Sequence, residues 1–177
     1  MALTKIVSGG QTGVDRGTLD AALVAGFACG GWCPANRVAE DGEIPERYPL
    51  TPLPPDLAAG TSQHSARPNE GNARQVAEQY RARTLKNVQD SDGTVILYSG
   101  TLSGGTLLTQ KFCAREKTPV LALDAQAMTK LRAADAIAQF VEEHGICVLN
   151  VSGPRLSGWP QGYSFALRVI GAVISNL

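Results

Sequence analysis

The chain has 177 residues, and its 16 Lys and Arg residues balance 16 Asp and Glu residues to a formal net charge of zero. This length predicts a single domain over residues 1–177, and the neutral charge argues against nucleic acid or an anionic membrane surface as a partner. No window reaches the ~20 apolar residues of a membrane span. No signal-peptide pattern follows Met1, so we expect a soluble, cytoplasmic protein.

The first half of the chain alternates between short apolar runs and a helical pattern. Residues 3–8 predict a strand, and residues 27–32 are compatible with a second short strand. Between them, apolar positions at helical spacing are Leu19, Ala22, Leu23 and Gly26. Six prolines between residues 33 and 55 predict a loop. Residues from about 54 to 79 look like a surface insertion, because residues 54–71 are polar, rich in Pro and Gly, and without a period.

The second half continues the alternation more clearly. The strands predicted there cover residues 94–98, 118–123 and 146–151. A helix is predicted over 73–89, and a second helix ends near Glu116. Two further helices carry apolar stripes: Ala134, Ile137, Ala138 and Val141 in a helix that ends at Gly145, and Ala166, Val169, Ile170 and Val173 in the last helix. Such alternation predicts an α/β three-layer sandwich with a mostly parallel sheet. Right-handed crossovers would bring the turns at Gly9, Gly100 and Gly153 to one edge of that sheet.

The turn after the first predicted strand, Gly9-Gly10-Gln11-Thr12-Gly13, opens directly into a helix. Free backbone N–H groups and the positive end of a helix favour an anion such as phosphate. The turn is neither a P-loop nor a GxGxxG fingerprint, since Lys and Ser/Thr do not follow its last glycine and its glycines have other spacing. Thr12 and Arg16 could donate to an anion, and Asp15 could accept from a ligand hydroxyl. Alternatively, Asp15 only meets the helix dipole and Arg16 is an ordinary solvated side chain.

Two further turns extend this prediction. Ser103-Gly104-Gly105-Thr106 repeats the strand-turn-helix pattern, and a third small turn contains Gly153 and Arg155. The candidate ligand- or phosphate-binding residues are therefore Gly9, Gly10, Gln11, Thr12, Gly13, Asp15, Arg16, Ser103, Gly104, Gly105, Thr106, Gly153 and Arg155.

The polar loop after residue 30 contributes four further candidates that could line a ligand: Trp32, Cys33, Glu40 and Asp41. Trp32 either stacks on a planar ligand or covers the sheet. Cys33 is either an exposed thiol or a soft metal ligand, whereas Cys29 and Cys147 lie in apolar runs typical of buried, inert thiols. Neither a zinc-ligand spacing nor a Ser-His-Asp or Cys-His set is evident, so we predict no structural metal.

The chain resembles the molybdenum cofactor carrier proteins of the circularly permuted YpsA-like branch of the SLOG superfamily, which are related to the Lonely Guy and lysine-decarboxylase-like proteins. The resemblance covers nearly all of the chain except residues 54–79. The segments that carry it are residues 8–16, 30–34, 39–50, 80–84, 87–94, 104–106 and 149–155.

This resemblance implies a Rossmann-like fold, a homo-oligomer such as a dimer or tetramer, and binding of a nucleotide or of the molybdenum cofactor (molybdopterin). The enzymatic relatives carry a catalytic glutamate in a PGGxGTxxE motif. Alignment on the glycines puts Lys111 at that position, and alignment on the threonine puts Thr109 there. We therefore expect a binding protein for a phosphorylated, nucleotide-like ligand. The alternatives are a nucleoside-monophosphate phosphoribohydrolase using Asp15, Glu40 or Asp41 as its acid, and a ligand-sensing regulatory domain.

Overall fold

Five parallel strands form the central sheet in this computed structural model, which describes residues 3–54 and 68–177. The strands, in chain order, are β1 (Lys5–Val7), β2 (Cys29–Gly30), β3 (Trp32–Cys33), β4 (Val38–Ala39), β5 (Gly42–Glu43), β6 (Thr51–Pro52), β7 (Gly93–Tyr98), β8 (Val120–Asp124) and β9 (Val148–Ser152). The central sheet has the order β2-β1-β9-β7-β8, and every neighbouring pair in it is parallel. The predicted α/β fold with a mostly parallel sheet is confirmed.

Helices cover both faces of this sheet. In chain order they are α1 (Val14–Val24), α2 (Pro68–Gln89), α3 (Gly104–Glu116), α4 (Lys130–His144) and α5 (Gly162–Ser175). Helix α5 packs between α1 and α4 on one face, and α2 packs against α3 on the other. Among the described residues, no helix is long and apolar enough to cross a membrane.

Apolar stripes predicted from the sequence hold the helices to the sheet. All four stripe residues of α5, from Ala166 to Val173, are at most 1% exposed. Each buried Val or Ile side chain contributes about 1.5–3 kcal/mol to folding. Helix α4 ends at Gly145, whose φ of 61° is the left-handed conformation expected at a helix C-terminus. The apolar stripe predicted for α1 was partly wrong, because Leu19 is buried but Leu23 is 39% exposed.

Two segments differ from the sequence prediction. Helix α2 begins at Pro68 rather than at residue 73, in keeping with the preference of proline for the first helical position. Residues 68–79 of the expected insertion are therefore helical, and residues 55–67 lie outside the described part of the chain. The proline-rich loop contains short strands, of which β6 pairs in parallel with β3. Proline is tolerated there because that two-stranded sheet has only edges.

Candidate functional site

The turns that follow β1, β7 and β9 meet at the carboxyl edge of the sheet, as the alternation of elements predicted. They surround a cleft of about 680 Å³, a volume typical of small-molecule sites. Helix α2 forms the opposite wall. The residues lining the cleft are Gln11, Ala77, Tyr80, Arg81, Arg83, Thr84, Tyr98, Ser99, Thr101, residues 103–109, Lys111, residues 152–155 and Gly158.

The N-terminus of α3 opens into this cleft. Its N-cap residue Ser103 makes no side-chain capping hydrogen bond, and its first turn contains no acidic residue. A Cβ added at Gly105 would meet no atom of the described residues within 4 Å, so this position of the helix end is open. Uncapped N–H groups and the helix dipole make such an end favourable for an anion. Four of the predicted ligand residues, Ser103, Gly104, Gly105 and Thr106, line the cleft together here.

The charge of the lining has one sign. Arg81, Arg83, Lys111 and Arg155 all border the cleft, and no Asp or Glu borders it among the described residues. A cleft that collects cations without carboxylates raises the local concentration of anionic ligands. Chemically, it offers guanidinium and ammonium donors, hydroxyls and helix N–H groups, which is the donor set that binds phosphate esters.

The first glycine turn lies behind Arg83. Asp15, which is 2% exposed, accepts hydrogen bonds from the backbone N–H of Gln11 and from Arg83 Nη1, both at 3.2 Å. Burial raises the pKa of Asp15, and the charge of Arg83 opposes that rise. Because the guanidinium of Arg83 lies against Gly9, any Cβ at position 9 would overlap Arg83 Nη1. Gln11 is the residue of this turn that borders the cleft.

A second carboxylate reaches the same turn from the hairpin of β4 and β5. Glu40 accepts hydrogen bonds from the hydroxyl of Thr12 and from the N–H (3.1 Å) and hydroxyl (2.6 Å) of Ser157. Glu40 Oε2 also lies 3.8 Å from Arg155 Nε. Burial tends to raise the pKa of Glu40, but the hydrogen bonds from Ser157 and Thr12 outweigh it and lower that pKa.

Other residues of the first turn also bond within the protein. Arg16 forms a two-pronged pair with Asp41 at 2.6 and 2.8 Å. A Cβ at Gly10 would overlap the side chain of Leu50, and one at Gly13 would lie 2.7 Å from the carbonyl oxygen of Pro154. Gly9, Gly10, Thr12, Gly13, Asp15, Arg16, Glu40 and Asp41 therefore share a network beside the cleft without bordering it.

Trp32 and Cys33 are also outside the cleft lining. The indole N–H of Trp32 donates to Asp90 at 2.6 Å, and Lys86 Nζ lies 5.1 Å from the ring centroid, so Trp32 covers the contact between β3 and α2. Of the two alternatives for Cys33, the exposed thiol does not hold, because this thiol is fully buried in an apolar cluster and burial raises its pKa. Cys29 and Cys147, expected to be buried, are only half-buried.

The wall that α2 contributes was not predicted from the sequence. Tyr80, Arg81 and Arg83 face the cleft, although we assigned no role to the segment 80–84 beyond its part in the family resemblance. No local signal marked these side chains, because residues two apart on a helix do not share a face and the packing of α2 against α3 brings them to the cleft. The two positions aligned with the relatives' glutamate, Thr109 and Lys111, do border the cleft.

The parallel sheet and the cleft at its carboxyl edge define a Rossmann-like α/β protein. Residues 6–174 match the model of the circularly permutated YpsA SLOG family, and the chain belongs to this family. It is also similar to a solved structure from Syntrophus aciditrophicus named "Putative molybdenum carrier protein", with 38% identity and a TM-score of 0.81 over 97% of this chain and 95% of that one. No curated protein matches the chain in sequence.

Proposed function

We propose that this protein binds a phosphorylated, nucleotide-like ligand in the cleft at the carboxyl edge of the sheet. One observation carries the proposal: among the described residues, four cationic side chains and no carboxylate line the cleft, beside the open N-terminus of α3. A phosphate ester satisfies both features, because its oxygens accept hydrogen bonds from helix N–H groups and from guanidinium donors. The neutral part of the lining, which includes Tyr80 and Tyr98, would face the rest of the ligand.

The molybdenum cofactor is the ligand suggested by the name of the similar solved structure. Its pterin carries a phosphate ester, which fits the cationic lining and the N-terminus of α3. A bare metal ion fits less well, because no group of three or more His, Cys, Asp or Glu side chains in the described ranges could hold one. We therefore expect any such cofactor to be held through its phosphate and ring, while the cofactor itself supplies the metal-binding chemistry.

We further propose that binding proceeds without hydrolysis of the ligand. Breaking an N-glycosidic bond requires an acid for the departing base or a carboxylate that activates water. Thr109 and Lys111 border the cleft where the relatives have glutamate. The three carboxylates that could replace it, Asp15, Glu40 and Asp41, each contact an internal cation instead.

Replacing Gly105 by Leu tests the proposal, because Gly105 borders the cleft and an added Cβ would meet no described atom within 4 Å. Binding of AMP, GMP and isolated molybdopterin would be measured by calorimetry in phosphate-free buffer. We expect at least one probe to bind the unaltered protein, and the variant to bind it at least about tenfold more weakly, since a filled cleft excludes the ligand.

Gly171→Leu is the matched control, because Gly171 is also a helical glycine with nothing within 4 Å of an added Cβ, but it lies on α5. We expect this control to bind like the unaltered protein. Failure of every probe to bind the unaltered protein, or equal affinity in the Gly105 variant, would refute the proposed site.

Two further expectations accompany this function. The family resemblance implies a homo-oligomer, either a dimer or a tetramer, which light scattering coupled to size-exclusion chromatography would detect. A cytoplasmic location stays a prediction, testable by fractionation of cells that express the chain.

A further inference from the structure

The four cations of the cleft differ in their internal partners. Arg83 Nη1 lies 3.2 Å from Asp15, and Arg155 Nε lies 3.8 Å from Glu40. For Arg81 and Lys111, by contrast, no carboxylate oxygen of any described side chain lies within 4.0 Å. Among the described side chains, Arg83 and Arg155 therefore have a carboxylate nearby, whereas Arg81 and Lys111 have none.

Arg81 and Lys111, the two cations without such a partner, both border the cleft. Helix α2, which carries Arg81, packs against α3, which carries Lys111. The guanidinium carbon of Arg81 lies 6.0 Å from the ring centroid of Phe112, the residue that follows Lys111. Like charges that border one cleft repel each other, and an anion bound between them relieves that repulsion. Arg81 and Lys111 are therefore suited to an anionic group of the ligand.

The backbone of Lys111 lies about two turns beyond the N-terminus of α3. Lys111 is seven residues beyond Gly104, which corresponds to about 10 Å along the helix axis. Helical side chains lean towards the helix N-terminus, so Lys111 leans along the cleft towards the open helix end. A ligand anchored at that end would need a second anionic group to satisfy Arg81 and Lys111 as well.

We propose that Arg81 and Lys111 bind a second anionic group of the ligand, so that the cleft prefers a diphosphate ester, such as a nucleoside diphosphate, over a monophosphate. This inference rests on the proposed function and specifies the ligand class of the same site. Arg81 and Lys111 select for the second phosphate, while the N-terminus of α3 holds the first.

Calorimetry with AMP, ADP, inorganic phosphate and inorganic diphosphate tests the inference in magnesium-free buffer, where no metal ion neutralises the phosphates. We expect ADP to bind about tenfold or more tightly than AMP, because charge-assisted hydrogen bonds to two cations are gained. In the double variant Arg81→Gln/Lys111→Gln, ADP should bind no more tightly than AMP, so the loss of affinity should be larger for ADP than for AMP.

Arg115→Gln is the matched control. Arg115 lies over the same Phe112 ring, at 5.1 Å, but pairs with Glu116 and does not border the cleft. The substitution Arg115→Gln removes a positive charge near the cleft but outside its lining, so the preference for ADP should persist. Loss of the preference for ADP in this control would mean that the overall positive electrostatic potential, and not direct contact with Arg81 and Lys111, favours the second phosphate.

Three further results would overturn the inference: equal affinity of the unaltered protein for AMP and ADP, a preference for ADP that survives in the double variant, or an equal loss of AMP and ADP binding in that variant. Tighter binding of inorganic diphosphate than of phosphate, without binding of any nucleotide or molybdopterin, would refute the proposed function while supporting this assignment.

Discussion

Removing the carboxylate of Asp15 should strongly destabilise the fold. Asp15→Ala deletes the acceptor for Arg83 Nη1 and for the N–H of Gln11. It leaves a guanidinium whose side chain is only 13% exposed and whose Nε has no hydrogen-bond partner among the described residues even before the substitution. Breaking a buried ion pair by deleting one partner typically costs about 3–5 kcal/mol. We expect a loss of that size in the free energy of unfolding.

Urea unfolding followed by circular dichroism at pH 7 would measure the loss. Asp41→Ala is the control, because Asp41 also pairs with an arginine, Arg16, but its side chain is 48% exposed. An exposed pair of this kind contributes about 0–1 kcal/mol. A loss for Asp15→Ala no larger than that for Asp41→Ala would refute the argument from burial.

Two companion variants keep the test usable if Asp15→Ala does not fold. Asp15→Asn retains an acceptor for Arg83 and should lose less stability than the alanine variant. The double variant Asp15→Ala/Arg83→Met removes both charges, and should be more stable than Asp15→Ala alone, because no unpaired charge is left buried. A double variant less stable than the single one would show that the arginine does not need its partner.

Three other predictions concern the neighbouring turn and the reaction. The pKa of Glu40 is lowered from 4.5 in the folded protein, so the charged carboxylate stabilises the fold above pH 4.5, and this stabilisation is lost as the pH falls through the folded pKa. The difference in unfolding free energy between the unaltered protein and Glu40→Gln should therefore shrink at acidic pH. Gly10→Ala should lower the free energy of unfolding by about 1–3 kcal/mol in urea titrations, since φ is 75° and Leu50 blocks the Cβ. Chromatography of AMP and GMP incubated with the protein should show no released base, and turnover abolished by Glu40→Gln would contradict us.

The helices and the central sheet could be predicted from local patterns, because their stabilising contacts repeat at a fixed spacing. The stripe from Ala166 to Val173 and the run from residue 94 to 98 show this clearly. The two-residue strands β3 and β6 could not be predicted, because their pairing joins residues far apart in a proline-rich segment. Cys33 was misjudged for the same reason: the apolar cluster that buries it comes from Leu19 and from loop residues up to Leu50.

The location of the candidate site could be predicted from the sequence, but not all of the side chains that line it. Parallel strands with right-handed crossovers require their following turns to share an edge, and this rule alone brought together the segments at Gln11, Gly105 and Gly153. The cationic wall of α2 follows from no local motif, because Arg81 and Arg83 reach the cleft only through the packing of α2 against α3.

The two glycine-rich turns show what such a motif can and cannot predict. Both open a helix at the carboxyl edge of the sheet, and both should attract an anion. At the first turn the anions belong to the protein itself, since Asp15 and Glu40 accept the hydrogen bonds that a ligand would otherwise accept. At the second turn no described atom lies within 4 Å of a Cβ added at Gly105, and four cations line the same cleft. A glycine turn therefore predicts where negative charge is favourable, whereas distant segments such as the β4–β5 hairpin decide whether the protein or a ligand supplies it.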